Sequence, residues 1–489
     1  MDHDNDRMVS HLLTIGGDER IVPAHDDGTN KYHSSPFPRH TVTFASSTAN
    51  DISQAAFDHL ASFVRAQGIT PQMTGAQYGR HLDAARQRIS AAYSLPPGID
   101  TAFSPSGTDL EYIALQCFAG RAPGGIHNVL LGADEVGSGC ILSAHGQYFA
   151  GQTALGIPTI KGIPVPGLGA VSLTEISVRN GFGDAFDSAV IMAGMRSEIE
   201  RALAVDQFPL LHVVHGSKTG LILPHLDDID TLIAQYGDAI GFVVDACQAR
   251  ITSEAITKYL ARGAVVLLTG SKFMGGAPFS GFALVPQKVF ARIAPVGDGM
   301  ATIFRRAELP AHWEGADQLP DDGNAGLTVR LESALFELER FQALADSDIA
   351  RIIELFRVAS LTLLDRIGGS RVLPYPIADR AQAARHPIEM RTLKTIDLSS
   401  EHGAIDFDRA TAIQMAMMRD AVRLGQPVKC ARFQGPDMAG RVRGTLRVGI
   451  SMPQIVMLAA MAPDAAERSL AQQMDAVASS FTSARTATS

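Results

Sequence analysis

The chain has 489 residues, of which 46% are hydrophobic and 19% charged, and its formal net charge is −9. This composition is typical of a folded globular enzyme, and the length allows a large buried core. The mild acidity and the lack of a lysine- and arginine-rich block argue against a nucleic-acid-binding protein, which needs a clustered basic surface to neutralise phosphates.

The cysteines and the N-terminus predict a cytoplasmic protein with no metal site and no membrane partner. The cysteines are widely spaced and form no CxxC pair, which argues against a zinc ribbon or a disulfide framework. The first residues, MDHDNDRMVSHLL, are acidic and lack the basic start and apolar core of a signal peptide. No apolar run approaches the roughly 18 residues that a membrane span needs. The four cysteines are Cys117, Cys140, Cys247 and Cys430.

In chain order, residues 1–50 are polar and are predicted to form an extended N-terminal arm. Helical periodicity follows over Asp51–Ala66 and again over Leu82–Tyr93. Short apolar strands then alternate with helices, which predicts an α/β fold with a mostly parallel sheet sandwiched between helices. We assign residues 51–325 to this large domain. Its predicted strands are Asn128–Gly132, Leu210–His215, Ile240–Asp245, Ala264–Thr269 and Phe282–Pro286.

Two further parts of the chain depart from that alternation. The segment 150–205 begins with glycine- and proline-rich sequence and continues into a predicted helix, Ser188–Leu203, so we expect an insertion that forms a surface loop or a substrate lid. Residues 326–489 are predicted to form a long helix and a smaller C-terminal α/β domain. The predicted elements there are Val329–Leu344 with further helix to Ile367, Arg371–Tyr375, Ile388–Leu398, a helix at Phe407–Leu424 and a strand at Thr445–Ser451.

Two residues that follow neighbouring predicted strands carry the main chemical signal. Asp245 ends the run FVVD, and Lys272 follows AVVLLTGS 27 positions later, which leaves room for a crossover between parallel strands. Alone, the lysine could be a solvated loop residue and the aspartate a helix N-cap. Together with the hydroxyls of Thr269 and Ser271 they suit a pyridoxal phosphate site, where a lysine forms an imine with the cofactor aldehyde and an acid pairs with its pyridinium nitrogen. Gln248 could hydrogen-bond the phenolic oxygen of the ring.

A possible phosphate-binding loop lies upstream, in SPSGTDLEYIALQCF. Ser106-Gly107-Thr108 precede a predicted amphipathic helix, and free N–H groups, the helix dipole and two hydroxyls would together bind a phosphate. By itself this pattern is also that of a helix N-cap without a ligand. The lysine–acid pair downstream favours the phosphate interpretation.

The loop HGSKTG, residues 215–220, follows an apolar strand but lacks the glycine spacing of a nucleotide-binding P-loop. Its lysine, Lys218, precedes the well-placed acid and is a poor candidate for an imine. We expect His215, Ser217 and Thr219 to line the same pocket. In TLRVGIS, Arg447 lies mid-strand and suits bidentate binding of a substrate carboxylate, although a surface ion pair is an equal alternative.

These motifs in this order resemble the fold-type I pyridoxal phosphate enzymes, specifically the class V aminotransferase and cysteine desulfurase superfamily, from about Ala84 to Ser451. The resemblance implies that Ser106-Gly107-Thr108 is the first phosphate loop and that Asp245 and Gln248 form the family's Asp-x-x-Gln/His motif. Lys272 is then similar in placement to the lysine that holds the cofactor.

The same resemblance extends to residues with weaker local signals. It implies that Thr269 and Ser271 bind the cofactor phosphate, and that Thr219 lies near the cofactor ring. It further implies that residues 324–328, with Thr328, reach the phosphate in the partner subunit, and that Arg447 binds the substrate carboxylate. We therefore expect a homodimer with shared active sites.

The sequence departs from the desulfurases of that superfamily at two points. Where those enzymes place a histidine over the cofactor ring, after an acidic residue, this chain has Val136 after Glu135. Cys430 lies 17 positions before Arg447, a spacing that suits a desulfurase cysteine, but PVKCARF is predicted to be a strand rather than a loop. Both departures argue against sulfur transfer.

The sequence thus predicts a pyridoxal phosphate enzyme that acts on an amino acid or amine through an external aldimine. Lys272 would act as general acid and base, and Asp245 would keep the pyridine nitrogen protonated. An aminotransferase is the first choice, and a lyase or a carbon–carbon bond-forming enzyme is the second. A catalytically silent relative is a further alternative, against which the complete lysine, acid and hydroxyl set argues.

Overall fold

The computed structural model describes residues 3–45, 47–133, 135–137, 139–367, 371–372, 392–398, 405–433 and 440–488. The strands are β1 Val42–Phe44, β2 Ile99–Ser104, β3 Ile126–Leu131, β4 Val171–Ile176, β5 Phe208–His215, β6 Ile222–Leu223, β7 Gly241–Asp245, β8 Ala264–Thr269, β9 Gly281–Pro286, β10 Arg371–Val372, β11 Leu393–Asp397, β12 Val422–Leu424 and β13 Thr445–Gly449. The first nine α-helices are α1 His3–Leu12, α2 Gln54–Gln67, α3 Gly75–Ala92, α4 Leu110–Phe118, α5 Cys140–Ala144, α6 Ser188–Leu203, α7 Leu226–Tyr236, α8 Ser253–Ala261 and α9 Gln287–Phe290. They are followed by α10 Ala325–Gln342, α11 Asp346–Arg366, α12 Phe407–Arg419, α13 Met452–Ala459 and α14 Pro463–Ala487.

A mostly parallel sheet forms the centre of the molecule, in the order β2-β9-β8-β7-β5-β3-β4, with β6 paired to β5. Strands β4, β3, β5, β7 and β8 run parallel to one another, whereas β9 is antiparallel to both of its neighbours. Helices cover both faces of this sheet, as the alternating pattern predicted. The fold class, a parallel α/β sheet sandwiched by helices, is therefore confirmed.

Strand β8 illustrates why the central strands read as uninterrupted apolar runs. Val266 and Leu268 pack into the hydrophobic core on one face, whereas Val265 and Leu267 pack into a second core on the other face. Successive side chains of a strand point to opposite faces, and both faces of this sheet are covered. A strand that is buried on both faces therefore lacks the alternation of polar and apolar residues that a half-exposed strand shows.

The C-terminal part contains a small sheet in the order β10-β11-β13, with antiparallel pairing. Parts of the predicted segments 371–375 and 388–398 lie outside the described residues. The helix predicted at Phe407–Leu424 ends at Arg419, and residues 422–424 instead form β12, which pairs in parallel with β1. That correction has a tertiary cause, because β1 comes from the start of the chain. Residues 427–433 are not a continuous strand, since only Arg432 forms a bridge, with Val442.

Periodicity did not identify three strands of the large sheet, β2, β4 and the two-residue β6. Strand β4 lies within the segment 150–205, where it pairs in register with β3 at the sheet edge. At least that part of the predicted insertion belongs to the main sheet. The division into arm, large domain and small domain, and the lid function of the segment, remain predictions. No helix in the described part of the chain combines the length and apolarity needed to span a membrane.

The N-terminal segment is tied to the core by α10. The buried Arg330 donates hydrogen bonds to the carbonyl oxygens of Ile15 at 2.6 Å, Gly16 at 2.9 Å and Phe279 at 2.8 Å. Burial lowers the pKa of Arg330 to about 9, and these carbonyl groups solvate the remaining charge. Gly326 permits this close approach, because a Cβ there would lie 2.0 Å from the carbonyl oxygen of Ile15.

We predict that Arg330→Met will lower the free energy of unfolding by about 3 kcal/mol or more, since charged hydrogen bonds contribute roughly 1.5–3 kcal/mol each. The measurement is urea denaturation followed by circular dichroism. Arg357→Met is the matched control, because Arg357 forms an exposed ion pair with Glu354 within α11, and such pairs contribute at most about 1 kcal/mol. Equal effects of the two substitutions would contradict the anchoring role of Arg330.

Candidate active site

The candidate site lies at the carboxyl edge of the central sheet. Asp245 is the last residue of β7 and pairs with Leu267 of the neighbouring parallel strand β8. Lys272 follows the end of β8 by three positions. Parallel strands bring their carboxyl ends to the same edge, where open α/β sheets bind their ligands. The pairing of β7 with β8 therefore places the acid and the lysine on one cavity.

That cavity has a volume of about 210 Å³. Eleven predicted site residues line it: Ser106, Gly107, Thr108, Val136, Ser217, Asp245, Gln248, Thr269, Ser271, Lys272 and Arg447. The other lining residues are Arg20, Tyr32, Ser47, Thr48, Glu135, Gly137, Gly139, Cys140, Gly216, Lys218, Cys247, Phe279, Ser280 and Gln426.

Asp245 has a second carboxyl near it, that of the buried Glu111. One oxygen of Asp245 accepts a hydrogen bond from the backbone N–H of Cys247 at 2.9 Å. Burial, reinforced by the charge of Asp245, raises the pKa of Glu111 well above its usual value. Burial also lowers the pKa of the nearby His212 to about 4, so this histidine is neutral. Because His212 is uncharged at neutral pH, it does not compete with another cation for Asp245.

Lys272 has an unusual backbone conformation, with φ of 62°. Residues other than glycine rarely adopt this left-handed region, and such conformations concentrate at functional sites. Its carbonyl oxygen accepts a hydrogen bond from the side chain of Asn50 at 3.2 Å. The backbone conformation and this hydrogen bond thus fix the position of Lys272 after the end of β8.

The predicted phosphate loop packs against the end of β8. A Cβ at Gly107 would lie 2.7 Å from Cγ2 of Thr269, so a side chain at 107 would displace that residue. The hydroxyl of Thr269 donates to the carbonyl oxygen of Cys247 at 2.6 Å. Helix α4 begins at Leu110, directly after the loop, and its amino end lies beside the cavity. The hydroxyls of the loop and the N–H groups and positive dipole end of α4 therefore lie together, as predicted for a phosphate site.

Two buried polar atoms in the cavity wall fit a polar ligand. Oε1 of Gln248 and Oγ of Ser280 are buried and have no hydrogen-bond partner among the described residues. Buried polar groups in folded proteins nearly always have such a partner. A ligand with polar groups on its ring and a phosphate would supply partners here, as pyridoxal phosphate does. The residues present therefore fit that cofactor.

A buried ion pair supports the loop 216–219. Glu135 accepts hydrogen bonds from Nε of Arg179 at 2.9 Å, from the hydroxyl of Ser217 at 2.6 Å and from the backbone N–H of Thr219 at 3.0 Å. Burial alone would raise the pKa of Glu135, but Arg179 and the hydroxyls of Ser217 and Thr219 lower this pKa below its usual value. Val136 lines the cavity next to this carboxylate.

Three predicted site residues do not line the cavity. Thr219 is buried against Glu135, to which its hydroxyl donates. Nδ1 of His215 lies 3.0 Å from the hydroxyl oxygen of Tyr259. The hydroxyl of Thr328 donates to the carbonyl oxygen of Asn324, within the first turn of α10. Ligand contacts by these three residues remain predictions.

Arg447 is buried and lines the cavity from the C-terminal part of the chain. Its Nε donates to the carbonyl oxygen of Gln426 at 2.9 Å, and one terminal nitrogen lies 3.4 Å from the carbonyl oxygen of Lys218. Burial lowers its pKa to about 10, which still leaves it charged at neutral pH. A buried cation with neutral carbonyl partners suits the binding of a carboxylate.

The sequence did not identify several residues of the cavity, of which Arg20 is the most important. It lies 86 and 88 positions from the side chains it contacts, Ser106 and Thr108. No local pattern in GGDERIVPAH signals such a contact. Lys218 also lines the cavity, although the sequence analysis considered it only as a poor candidate for the imine lysine.

No protein-family model matches the chain, and no curated protein matches it in sequence. Several solved structures match its fold. A cysteine desulfurase from Escherichia coli has a TM-score of 0.54 at 14% identity, covering 91% of this chain and 94% of the other. Pyridoxamine-pyruvate aminotransferase from Mesorhizobium loti has a TM-score of 0.51 at 15% identity, with coverages of 91% and 99%. Serine palmitoyltransferase from S. paucimobilis, solved with a pyridoxal phosphate–myriocin aldimine, has a TM-score of 0.52 at 11% identity, with coverages of 92% and 88%.

The chain has the fold of the fold-type I pyridoxal phosphate-dependent enzymes. The resemblance carried by its sequence motifs is thereby confirmed at the level of the fold. At these identities the likeness establishes the fold alone, and one fold hosts many reactions. The activity must therefore be argued from the residues of the cavity.

We predict that Arg179→Met will destabilise the protein by about 3–5 kcal/mol at neutral pH, because it leaves the buried carboxylate of Glu135 without its cation. The double variant Glu135→Gln/Arg179→Met, which removes both charges, should be less destabilised. Because the native environment lowers the pKa of Glu135, its stabilising contribution is present above its unfolded pKa and is lost as the pH falls. The difference between wild type and Arg179→Met, measured by denaturation, should thus shrink from pH 7.5 towards pH 4; a constant difference would contradict this assignment.

Proposed function

We propose that the protein is a pyridoxal phosphate-dependent enzyme that acts on an amino acid or amine, with transamination as the favoured reaction. The observation that carries the proposal is the convergence of Asp245, Lys272 and the loop Ser106–Thr108 on one cavity at the carboxyl edge of the sheet. A protein without a ligand here would not require Lys272 in a left-handed conformation, the carboxylate of Asp245 and the unpartnered atoms of Gln248 and Ser280 around one cavity.

Each group of cavity residues has a distinct role in this proposal. Asp245 holds a proton on the pyridine nitrogen, and Gln248 hydrogen-bonds the phenolic oxygen. The hydroxyls of Thr269 and Ser271 join the loop 106–108 around the phosphate. When bound, pyridoxal phosphate withdraws electrons from a bond at the substrate α carbon. Lys272 attaches the cofactor and then moves a proton at that carbon, as general base and acid.

Arg447 is proposed to bind the substrate carboxylate and so to orient the α carbon towards Lys272. Its position supports this role, because it is charged, buried and on the cavity wall. Val136 adds apolar surface on the same wall. The homodimer, with residues 324–328 reaching the partner subunit, stays part of the proposal and rests on the family resemblance.

Cysteine protonation supports transamination or lyase chemistry over sulfur transfer. Burial raises the pKa of Cys430 to about 12, and this residue lies outside the cavity described above. Burial also raises the pKa of Cys140 to about 12 and that of Cys247 well above its usual value, and these two do line the cavity. Sulfur transfer needs a nucleophilic thiolate, whereas all three are thiols at neutral pH.

We predict that the purified protein, after incubation with pyridoxal phosphate, will be yellow and will be bleached by borohydride, whereas Lys272→Ala will not form the lysine-bound chromophore. Lys218→Ala is the matched control, because it removes the rival lysine of the same cavity and should retain the chromophore. The measurement is the visible absorbance spectrum, with mass spectrometry of the borohydride-reduced peptide. A wild-type protein that stays colourless with added cofactor would sink the proposal.

We further predict that single amino acids will be converted to keto acids only once per site, and that continued turnover will require an added keto acid as amino-group acceptor. Products should be identified by mass spectrometry, with Lys272→Ala as the inactive control. Continued product formation without any keto acid would replace transamination by the lyase or carbon–carbon alternative.

A further inference from the structure

Arg20 brings a positive charge from the N-terminal segment to the proposed phosphate loop. One terminal nitrogen donates to the hydroxyl of Thr108 at 3.1 Å, and the other donates to the hydroxyl of Ser106 at 2.9 Å. These are two of the three residues of the predicted phosphate loop, Ser106-Gly107-Thr108. The guanidinium group also lines the cavity that holds Lys272 and Asp245.

The guanidinium group is held in position from several sides. Asp18 accepts from Nε at 2.8 Å and from a terminal nitrogen at 2.6 Å, in a bidentate ion pair whose side chains are 12% and 4% exposed. The ring centroids of Phe149 and Phe279 lie 4.6 and 5.4 Å from the central carbon of the guanidinium group. A planar cation fixed by a carboxylate and two aromatic rings loses little further freedom on binding an anion.

The backbone that carries Arg20 is fixed as well. Arg330 bonds the carbonyl oxygens of Ile15 and Gly16, and the side chain of Asn324 donates to that of Gly16 at 2.9 Å. Ile21, on the other side of Arg20, is buried. The position of this cation therefore depends on α10 and not on a loose terminus.

The surrounding charges permit an anion at this place. Asp109 accepts a hydrogen bond from the hydroxyl of Ser106, and burial, followed by the charge of Asp18, raises its pKa to about 7. Part of the Asp109 population is therefore neutral at physiological pH, and a nearby anion would increase that part. Ser280, whose buried hydroxyl lacks a partner among the described residues, opens onto the same cavity.

We propose that Arg20 is the cationic ligand of the cofactor phosphate, which makes the N-terminal segment a structural part of the cofactor site. This inference rests on the proposed function, since it assigns one residue to the phosphate of pyridoxal phosphate. Four of the five N–H donors of Arg20 bond Asp18, Ser106 and Thr108, and the fifth, on the nitrogen that bonds Thr108, can donate to a phosphate oxygen. Thr108, which now accepts from Arg20, would turn its own proton towards the phosphate, whereas the proton of Ser106 is donated to Asp109.

The experiment compares the affinities of the apoprotein for pyridoxal phosphate and for pyridoxal, which lacks the phosphate, by absorbance titration. The key variant is Asp18→Asn/Arg20→Gln, which removes both charges of the ion pair and leaves no uncompensated buried carboxylate. We expect it to weaken pyridoxal phosphate binding roughly 10- to 100-fold, the loss corresponding to a charged hydrogen-bond pair. Pyridoxal binding should change less than about twofold, because its interactions do not include Arg20.

Two further variants make the comparison specific. Asp18→Asn alone retains Arg20 and should keep the wild-type preference for the phosphorylated form. Arg7→Gln removes an exposed arginine of α1 from the same segment and should behave as wild type in both titrations. If the double variant does not fold, Arg20→Lys provides the test, because a retained charge without the planar fork should lose part of the phosphate preference.

The outcomes separate this inference from the proposed function. Wild-type protein that binds neither ligand would defeat the proposed function itself. Wild-type protein that binds pyridoxal phosphate, with an unchanged preference for it in the variant that lacks Arg20, would overturn the role of Arg20 alone. An equal loss of both ligands in that variant would also overturn it, since this result indicates a merely structural contribution.

Discussion

The parallel pairing of β7 with β8 is the constraint on which the candidate site depends. It aligns Val243 with Val265 and Asp245 with Leu267, so that the acid and the segment leading to Lys272 leave the sheet at the same edge. The pairing is itself held by apolar side chains that alternate between two cores. A shift of one residue would turn each core side chain to the opposite face and would carry Asp245 away from the cavity. Core packing and site geometry are thus specified by one register.

The cavity region shows how burial assigns different protonation states to similar carboxyl groups. Burial raises the pKa of Glu111, whose neighbour His212 is neutral, whereas the charge of Arg179 lowers the pKa of its partner Glu135. Asp109 lies between these cases, because Arg20 partly offsets the effects of burial and of Asp18. The balance between desolvation and a neighbouring cation decides each state. Residue type alone does not distinguish the three.

The N-terminal segment joins parts of the molecule that are distant in sequence. Arg330 of α10 holds residues 15 and 16, and Arg20, a few positions later, reaches the loop before α4. Strand β1 then pairs with β12 in the C-terminal part. The candidate site, the N-terminal segment and the C-terminal part are consequently linked by polar contacts, so a change in one can affect the others.

The sequence by itself determined the fold class, most of the central strands and eleven residues of the cavity wall, because these follow from local patterns: apolar runs, helix starts and the acid-to-lysine spacing along neighbouring strands. Only the tertiary structure decided that residues 422–424 form a strand beside β1, that β4 extends the sheet, and that Thr219, His215 and Thr328 bond within the protein instead of lining the cavity. It also brought Arg20 into hydrogen-bond contact with Ser106 and Thr108 of the predicted phosphate loop. The physical reason is the same in each case, since these contacts join residues far apart in the chain, and the packing that brings them together leaves no periodic signal near either partner.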